Sequence, residues 1–300
     1  SYFEIGYYFL NLFFNKLGVD YTIFKCILAS ASSLLIVARI KGYSINYFYL
    51  LILYTITMYF FDLEQSRTFF AISIVIYATK YLPLNTTQEK IKYIVMVLIA
   101  TSIHVSMAFY LLVFLTKSKR FRKYTKIIFC FVIGFCVIAN LIPHIMDIMG
   151  QALSVILRSE RVQLWFSYRT GMGFFLCLAL YIALLFLVGY AKRISYKYKN
   201  SSNEKNVKFV EDAYSMMIVL VLSLPFYLLS TEFFRLLREL FVFQFTAILI
   251  AGNICQRNLT SKQEAIIPIF LNVAVLIYAV VFMYLFSAYE FVIPAIREVF

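Results

Sequence analysis

Long apolar runs separated by short polar connections dominate this chain. The runs Tyr21–Ala38, Ile45–Phe61, Thr68–Leu82, Tyr93–Leu115, Ile127–Ile142, Gly171–Ala191, Ala213–Ser230, Leu240–Ala251 and Ala265–Ser287 each approach or exceed the length with which a tilted helix crosses about 30 Å of hydrocarbon. They predict an all-α, polytopic integral membrane protein of about 8–10 transmembrane or re-entrant helices, organised as a single membrane domain over residues 1–300. Two of its connections are long. The segment 143–170 contains an amphipathic stretch, Ala152–Arg169, with the sole tryptophan, Trp165, and is expected to form an interfacial helix or lid. The basic stretch 192–212 is expected to be a cytoplasmic loop, with Ser195–Asn206 as a solvated linker.

Composition narrows the class. Hydrophobic residues are 63% of the chain and charged residues only 14%, which excludes an ordinary soluble domain. The net charge of +13 sits in short loops between spans, where the positive-inside rule accounts for it. Without a soluble basic domain, nucleic acid is excluded as a partner. Cys26, Cys130, Cys136, Cys177 and Cys255 lie in or beside apolar runs without metal-ligand spacing, so they are expected to be packing residues. The chain begins at Ser1 with no methionine and no signal-peptide pattern, so a segment upstream of it is expected.

The cations segregate by type. Lys117–Lys126 and Lys192–Lys208 each hold six Lys or Arg and are assigned to the cytoplasmic side. Arg39, Lys41, Lys80, Lys90, Lys92, Arg257 and Lys262 join them, giving that face 14 lysines and 5 arginines. The segments 62–67, 143–170, 231–239 and 290–300 then fall outside with 7 arginines and no lysine; Lys16 alone adds a lysine there. Lysine is a diffuse surface charge, whereas the guanidinium fork suits bidentate grip on phosphate or carboxylate. An arginine-lined outer pocket for an anionic substrate follows as an expectation.

One run resists this topology. Tyr93–Leu115 carries basic residues at both ends, so a bent or re-entrant path is preferred, with the break in its polar middle, Ala100-Thr101-Ser102-Ile103-His104-Val105-Ser106. Exposed backbone there would have to line a cavity or pack against protein. A straight 23-residue helix is the alternative.

Candidate chemistry clusters at the outer ends of spans. Asp62, Glu64 and Arg67 read either as a solvated turn with a local ion pair or as part of a substrate site. Glu232, Arg235, Arg238 and Glu239 have spacings that would put them on one helix face; they are either a self-satisfied network or guanidinium forks on an anion, one of them held by Glu239. Arg158 and Arg161 are an i, i+3 pair in the lid, suited to lipid headgroups as well as to substrate. His104 is ionisable in mid-span, either a packed hydrogen-bonding residue or a cavity-lining one. Glu4, among aromatic residues, could meet a sugar hydroxyl or an arginine. No internal repeat, phosphate-binding glycine loop, H-E-x-x-H, C-x-x-C or G-x-S-x-G pattern occurs, and no metal or cofactor is expected.

Four landmarks, in order, carry a resemblance. They are Phe3-Glu4-Ile5-Gly6-Tyr7-Tyr8 with Leu10-Asn11; Ser66-Arg67-Thr68-Phe69-Phe70-Ala71; Ala100-Thr101-Ser102-Ile103-His104-Val105-Ser106-Met107-Ala108; and Arg238-Glu239-Leu240-Phe241-Val242-Phe243. Together they resemble the EpsG family of bacterial polysaccharide polymerases, a branch of the Wzy-type O-antigen and capsule polymerases. Two departures stand out. Family members begin with further membrane helices and an arginine followed by a glycine–aspartate pair, unmatched here, so part of the site is expected upstream of Ser1. Threonine also follows Arg67 where the family often has glutamine.

The resemblance implies a GT-C-like helical architecture and a multi-pass protein of the bacterial plasma membrane whose active site faces outward. The activity it implies is transfer of a growing chain from undecaprenyl pyrophosphate onto a new lipid-linked repeat unit. Its partners would be undecaprenyl-pyrophosphate-linked oligosaccharide as donor and acceptor, and the lipid bilayer; a chain-length regulator is a further candidate partner. Arg67, Arg235 and Arg238 are then expected to bind pyrophosphate, supported by Glu232, Glu239, Arg158 and Arg161, with His104, Asp62 or Glu4 as base. A flippase for the same lipid-linked saccharide would be expected to show repeat symmetry and midplane sites. A membrane acyltransferase using His104 would need an acyl donor, and a non-catalytic scaffold would leave the arginine–lysine segregation without a purpose.

Overall fold

The computed structural model describes residues 4–82, 86–157, 170–258 and 263–286. Among them the secondary structure is helical and no strand occurs. In chain order the helices are α1 (Ile5–Lys16), α2 (Tyr21–Ile40), α3 (Tyr47–Tyr54) running into a π-helical turn (Thr55–Tyr59), α4 (Phe60–Glu64), α5 (Ser66–Ala78) and α6 (Thr87–Ile103). A 3-10 helix (Val105–Lys117) leads to α7 (Lys119–Leu141) and α8 (Pro143–Leu157), and the chain continues with α9 (Met172–Lys197) and α10 (Glu204–Leu220). The last are α11 (Leu224–Tyr227), α12 (Arg235–Arg238), α13 (Phe241–Arg257) and α14 (Ile266–Leu285).

Each predicted apolar run is largely helical over its described residues, and among the described residues five stretches are long and apolar enough to cross a membrane: Tyr21–Ile40, Lys119–Leu141, Met172–Lys197, Ser201–Tyr227 and Ile266–Leu285. The chain is thus an all-α polytopic membrane protein. The other runs are shorter or broken, as Tyr47–Tyr59 and Val105–Lys117 show. Helix α7 begins at Lys119, so most of the basic stretch Lys117–Lys126 is helix rather than loop. Likewise α9 reaches Lys197 and helix resumes at Ser201, leaving a short connection inside the basic stretch 192–212. Of the expected interfacial helix, residues 152–157 continue α8, while residues 158–169 lie outside the described residues.

Two compact units emerge. The first comprises Ser1–Leu112, Phe186–Tyr214 and Glu239–Phe300; the second Val113–Leu185 and Ser215–Arg238. In the first, α5 packs against both α2 and α6, α1 lies on α6, and α13 packs against α3 and α14. Lipid tails are as apolar as the helices, so association relies on close packing of small residues. Ser32 on α2 and Ala71, Ser73 and Ala78 on α5 are accordingly buried. Helix α13 is buried on nearly every face, from Phe241 to Cys255, the pattern of a core helix. In the second unit α7 packs on α8 and α11. The cysteines are all free: Cys26 and Cys130 are exposed, and Cys136, Cys177 and Cys255 buried.

The run Tyr93–Leu115 is broken, and the break falls at His104. Helix α6 starts with a capping box between Thr86 and Glu89 and ends where His104 adopts φ −146°, ψ 116°, an extended geometry. Thr101 and Ser102 turn their hydroxyls onto the carbonyls of Val97 and Ile99, at 2.8 and 2.7 Å, a competition that weakens a helix end. Beyond the break the Tyr93 hydroxyl donates to the Tyr110 carbonyl at 2.9 Å. On a straight path these residues would be roughly 25 Å apart. The chain therefore reverses at His104, and a straight crossing is excluded.

Candidate functional site

Three residues expected to carry chemistry, far apart in sequence, meet in the first unit at the apex of this reversal. Glu4 is the N-cap of α1, yet its side chain makes no capping hydrogen bond. One carboxylate oxygen, Oε1, lies 2.7 Å from His104 Nδ1; the other, Oε2, accepts from Arg67 Nη1 at 2.5 Å. The Glu4 and His104 side chains are only 13% and 8% exposed, whereas Arg67 keeps 40%. The Arg67 guanidinium also lies over the Tyr7 ring, 5.5 Å from its centroid, within cation–π range.

The backbone explains why they meet. Gly6 lies against Ser102: a Cβ at position 6 would come within 3.0 Å of the Ser102 carbonyl carbon and oxygen and would overlap its hydroxyl. Gly6 is the second residue of α1, and its missing Cβ lets the start of α1 reach the end of α6. Glu4 sits at the N-terminal end of α1, where the helix dipole attracts an anion. Arg67 is the second residue of α5, where the helix dipole disfavours a cation and the Glu4 carboxylate compensates it.

The arrangement is a carboxylate-oriented imidazole beside a reachable guanidinium. An ionised carboxylate at Nδ1 places the ring proton there, so the basic lone pair of neutral His104 is on Nε2. Two residues on, the Ser106 hydroxyl is buried with no hydrogen-bond partner among the described residues.

The remaining candidates fall elsewhere. Asp62 is buried, and its carboxylate accepts from the Tyr54 hydroxyl at 2.5 Å across the π-helical turn. The expectation that Glu232, Arg235, Arg238 and Glu239 share one helix face is corrected. Glu232 lies in a 3-10 turn (Thr231–Phe234), Arg235–Arg238 is a single helical turn, and Leu240 separates Glu239 from the start of α13. Glu232 is exposed and Arg235 half-buried, while Arg238 and Glu239 are buried. Arg235 and Arg238 belong to the second unit and Glu239 to the first. Arg158 and Arg161 lie outside the described residues. Among the described residues no group of three or more His, Cys, Asp or Glu could hold a metal ion.

Gly6, Ser102 and Tyr7 also build the site, though none of them carries its chemistry. A lone glycine inside a helical pattern is a signal of close approach, and Tyr7 follows Glu4 by one helical turn. The EpsG family model matches residues 1–294. No curated protein and no solved structure matches the chain.

Proposed function

The chain belongs to the EpsG family, a polysaccharide-polymerase-like class of membrane protein, and from that premise we propose that it is a membrane glycosyltransferase. It polymerises undecaprenyl-pyrophosphate-linked oligosaccharide repeat units at the outer face of the bacterial plasma membrane. The observation that carries this reading is the Glu4 carboxylate held between His104 and Arg67.

In the proposed step, His104 Nε2 takes the proton from an acceptor sugar hydroxyl as its oxygen attacks the anomeric carbon of the donor chain. The bond from that carbon to the pyrophosphate oxygen breaks, and the electron pair leaves with the lipid pyrophosphate. Glu4 stabilises the imidazolium that forms. Arg67, at the positive end of α5, meets the charge that develops on the leaving group. Arg235 and Arg238, at the two ends of one helical turn, are proposed separately as anion contacts of the second unit, where guanidinium forks suit phosphate.

The test is a polymerisation assay in a strain lacking its native polymerase, with His104→Ala and Arg238→Ala at matched expression. A ladder of repeat-unit polymers that needs both residues is expected. No ladder from the unaltered protein, with lipid-linked units reaching the outer face, counts against the reading.

A further inference from the structure

A groove of about 340 Å³ opens between α1 and α2, within the ~300–1,000 Å³ range of small-molecule sites. Its lining is mixed in a particular way. Asn11 and Asn15, one helical turn apart on α1, supply amides, while Tyr8, Phe14, Tyr21 and Phe24 supply aromatic faces. The floor is built: Phe24 is buried, with the Phe14 and Tyr21 rings 5.1 and 6.2 Å from it. The Asn11 amide nitrogen donates to the Tyr7 carbonyl at 3.1 Å, which turns its side chain to a fixed orientation. Tyr8 and Tyr21 are exposed.

This groove adjoins the Glu4 cluster through one residue. Tyr7 stands under the Arg67 guanidinium on one side, and on the other its ring lies 6.0 Å from that of Phe24. A ligand in the groove would therefore lie beside the candidate reaction centre.

We propose that the α1–α2 groove is a saccharide subsite, in which Tyr8 or Tyr21 stacks on the apolar face of a sugar ring while Asn11 and Asn15 exchange hydrogen bonds with its hydroxyls. The chemistry favours a sugar over a hydrocarbon chain. A purely apolar ligand would desolvate the Asn15 amide and the Asn11 amide oxygen without offering them hydrogen bonds, at a cost, whereas a sugar has one weakly polar ring face for an aromatic side chain and hydroxyls that both donate and accept. The subsite rests on the proposed polymerase function and assigns the groove to a sugar of the repeat unit that flanks the reacting one.

The experiment uses two readouts on the purified whole protein and in cells. The probe is the repeat-unit oligosaccharide released by mild acid from the host's own lipid-linked units, with binding followed by saturation-transfer NMR and titration. Asn15→Ala and Tyr8→Ala are expected to weaken binding about tenfold each and Tyr8→Trp to retain it, while Glu4→Gln binds as the unaltered protein does but forms no ladder. Unchanged binding in both Asn15→Ala and Tyr8→Ala overturns the subsite even if the ladder is intact. Displacement of the oligosaccharide by farnesyl phosphate alone, with both variants silent, overturns it in favour of a lipid-chain site. Absence of a ladder from the unaltered protein, with binding that still depends on Tyr8 and Asn15, removes the polymerase reading and upholds the sugar site.

Discussion

Two arginines of the first unit show how the same side chain is built for different purposes. Arg39, in the last turn of α2, is 6% exposed. Its Nε donates to Thr79 Oγ1 at 2.7 Å and its Nη1 to the Tyr43 hydroxyl at 2.8 Å. The Phe209, Phe243 and Tyr43 rings surround its guanidinium at 4.4, 5.5 and 5.6 Å. These are short-range hydrogen-bonding and cation–π contacts that tie α2 to α5, α10 and α13. Arg67 lies over the Tyr7 ring, shares the Glu4 carboxylate with a histidine, and is 40% exposed. A caged guanidinium holds helices together; a half-open one beside an oriented imidazole is placed to meet a ligand.

Breaking each arginine should therefore break different things. The largest effect is expected from Arg67→Met, with polymer formation falling by about 10²–10³-fold, the magnitude of losing one charge-stabilising donor, while the folded yield in detergent stays unchanged. Arg39→Met should do the converse. Losing its hydrogen bonds and ring contacts should cost about 3 kcal/mol of stability, visible as a lower melting temperature, with activity per folded molecule preserved.

Gly6→Ala sharpens the comparison by moving the site without touching its chemistry. The added methyl meets Ser102, so α1 must shift, at about 1–3 kcal/mol, and activity should fall with it. Ser102→Gly, which removes the hydroxyl but not the backbone contact, should restore activity only in part. The smallest effect is expected at Asp20, whose carboxylate accepts from the Thr22 N–H at 2.8 Å at the start of α2. That backbone hydrogen bond holds its carboxyl below the usual range. Its contribution is present above the unfolded carboxyl's range and is lost as pH falls through the depressed native value. The melting difference between the protein and Asp20→Ala should accordingly shrink on acidification.

Much of the architecture was legible because hydropathy and charge act locally. The apolar runs became helices, and positive charge at both ends of Tyr93–Leu115 pointed to the reversal now seen at His104. Glu4, Arg67 and His104 each stood out singly as ionisable groups in an apolar chain. An arginine was one of the two partners expected for Glu4, but which arginine, and the meeting with His104, were not legible, since the pairs are 63 and 100 residues apart and depend on the contact of Gly6 with Ser102. By its position at a span end Arg39 reads as a loop charge; its aromatic cage draws on α10 and α13, which no spacing links to α2. The single helix face expected for Glu232 to Glu239 failed because 3.6-residue periodicity presumes an unbroken helix, and this segment changes from 3-10 to α geometry and breaks again at Leu240. The partnership of Asp62 with Tyr54 escaped for a related reason, since a π-helical turn between them shifts the register of the faces.

The central claim is that the Glu4 carboxylate orients His104 and Arg67 for glycosyl transfer. Glu4→Gln keeps the shape and removes the charge, so the decisive measurement is the polymer ladder from this variant in a strain lacking its native polymerase, at matched amounts of folded protein. The account predicts loss of the ladder by at least about 10²-fold, with lipid-linked repeat units accumulating unjoined. A full ladder from Glu4→Gln would contradict it.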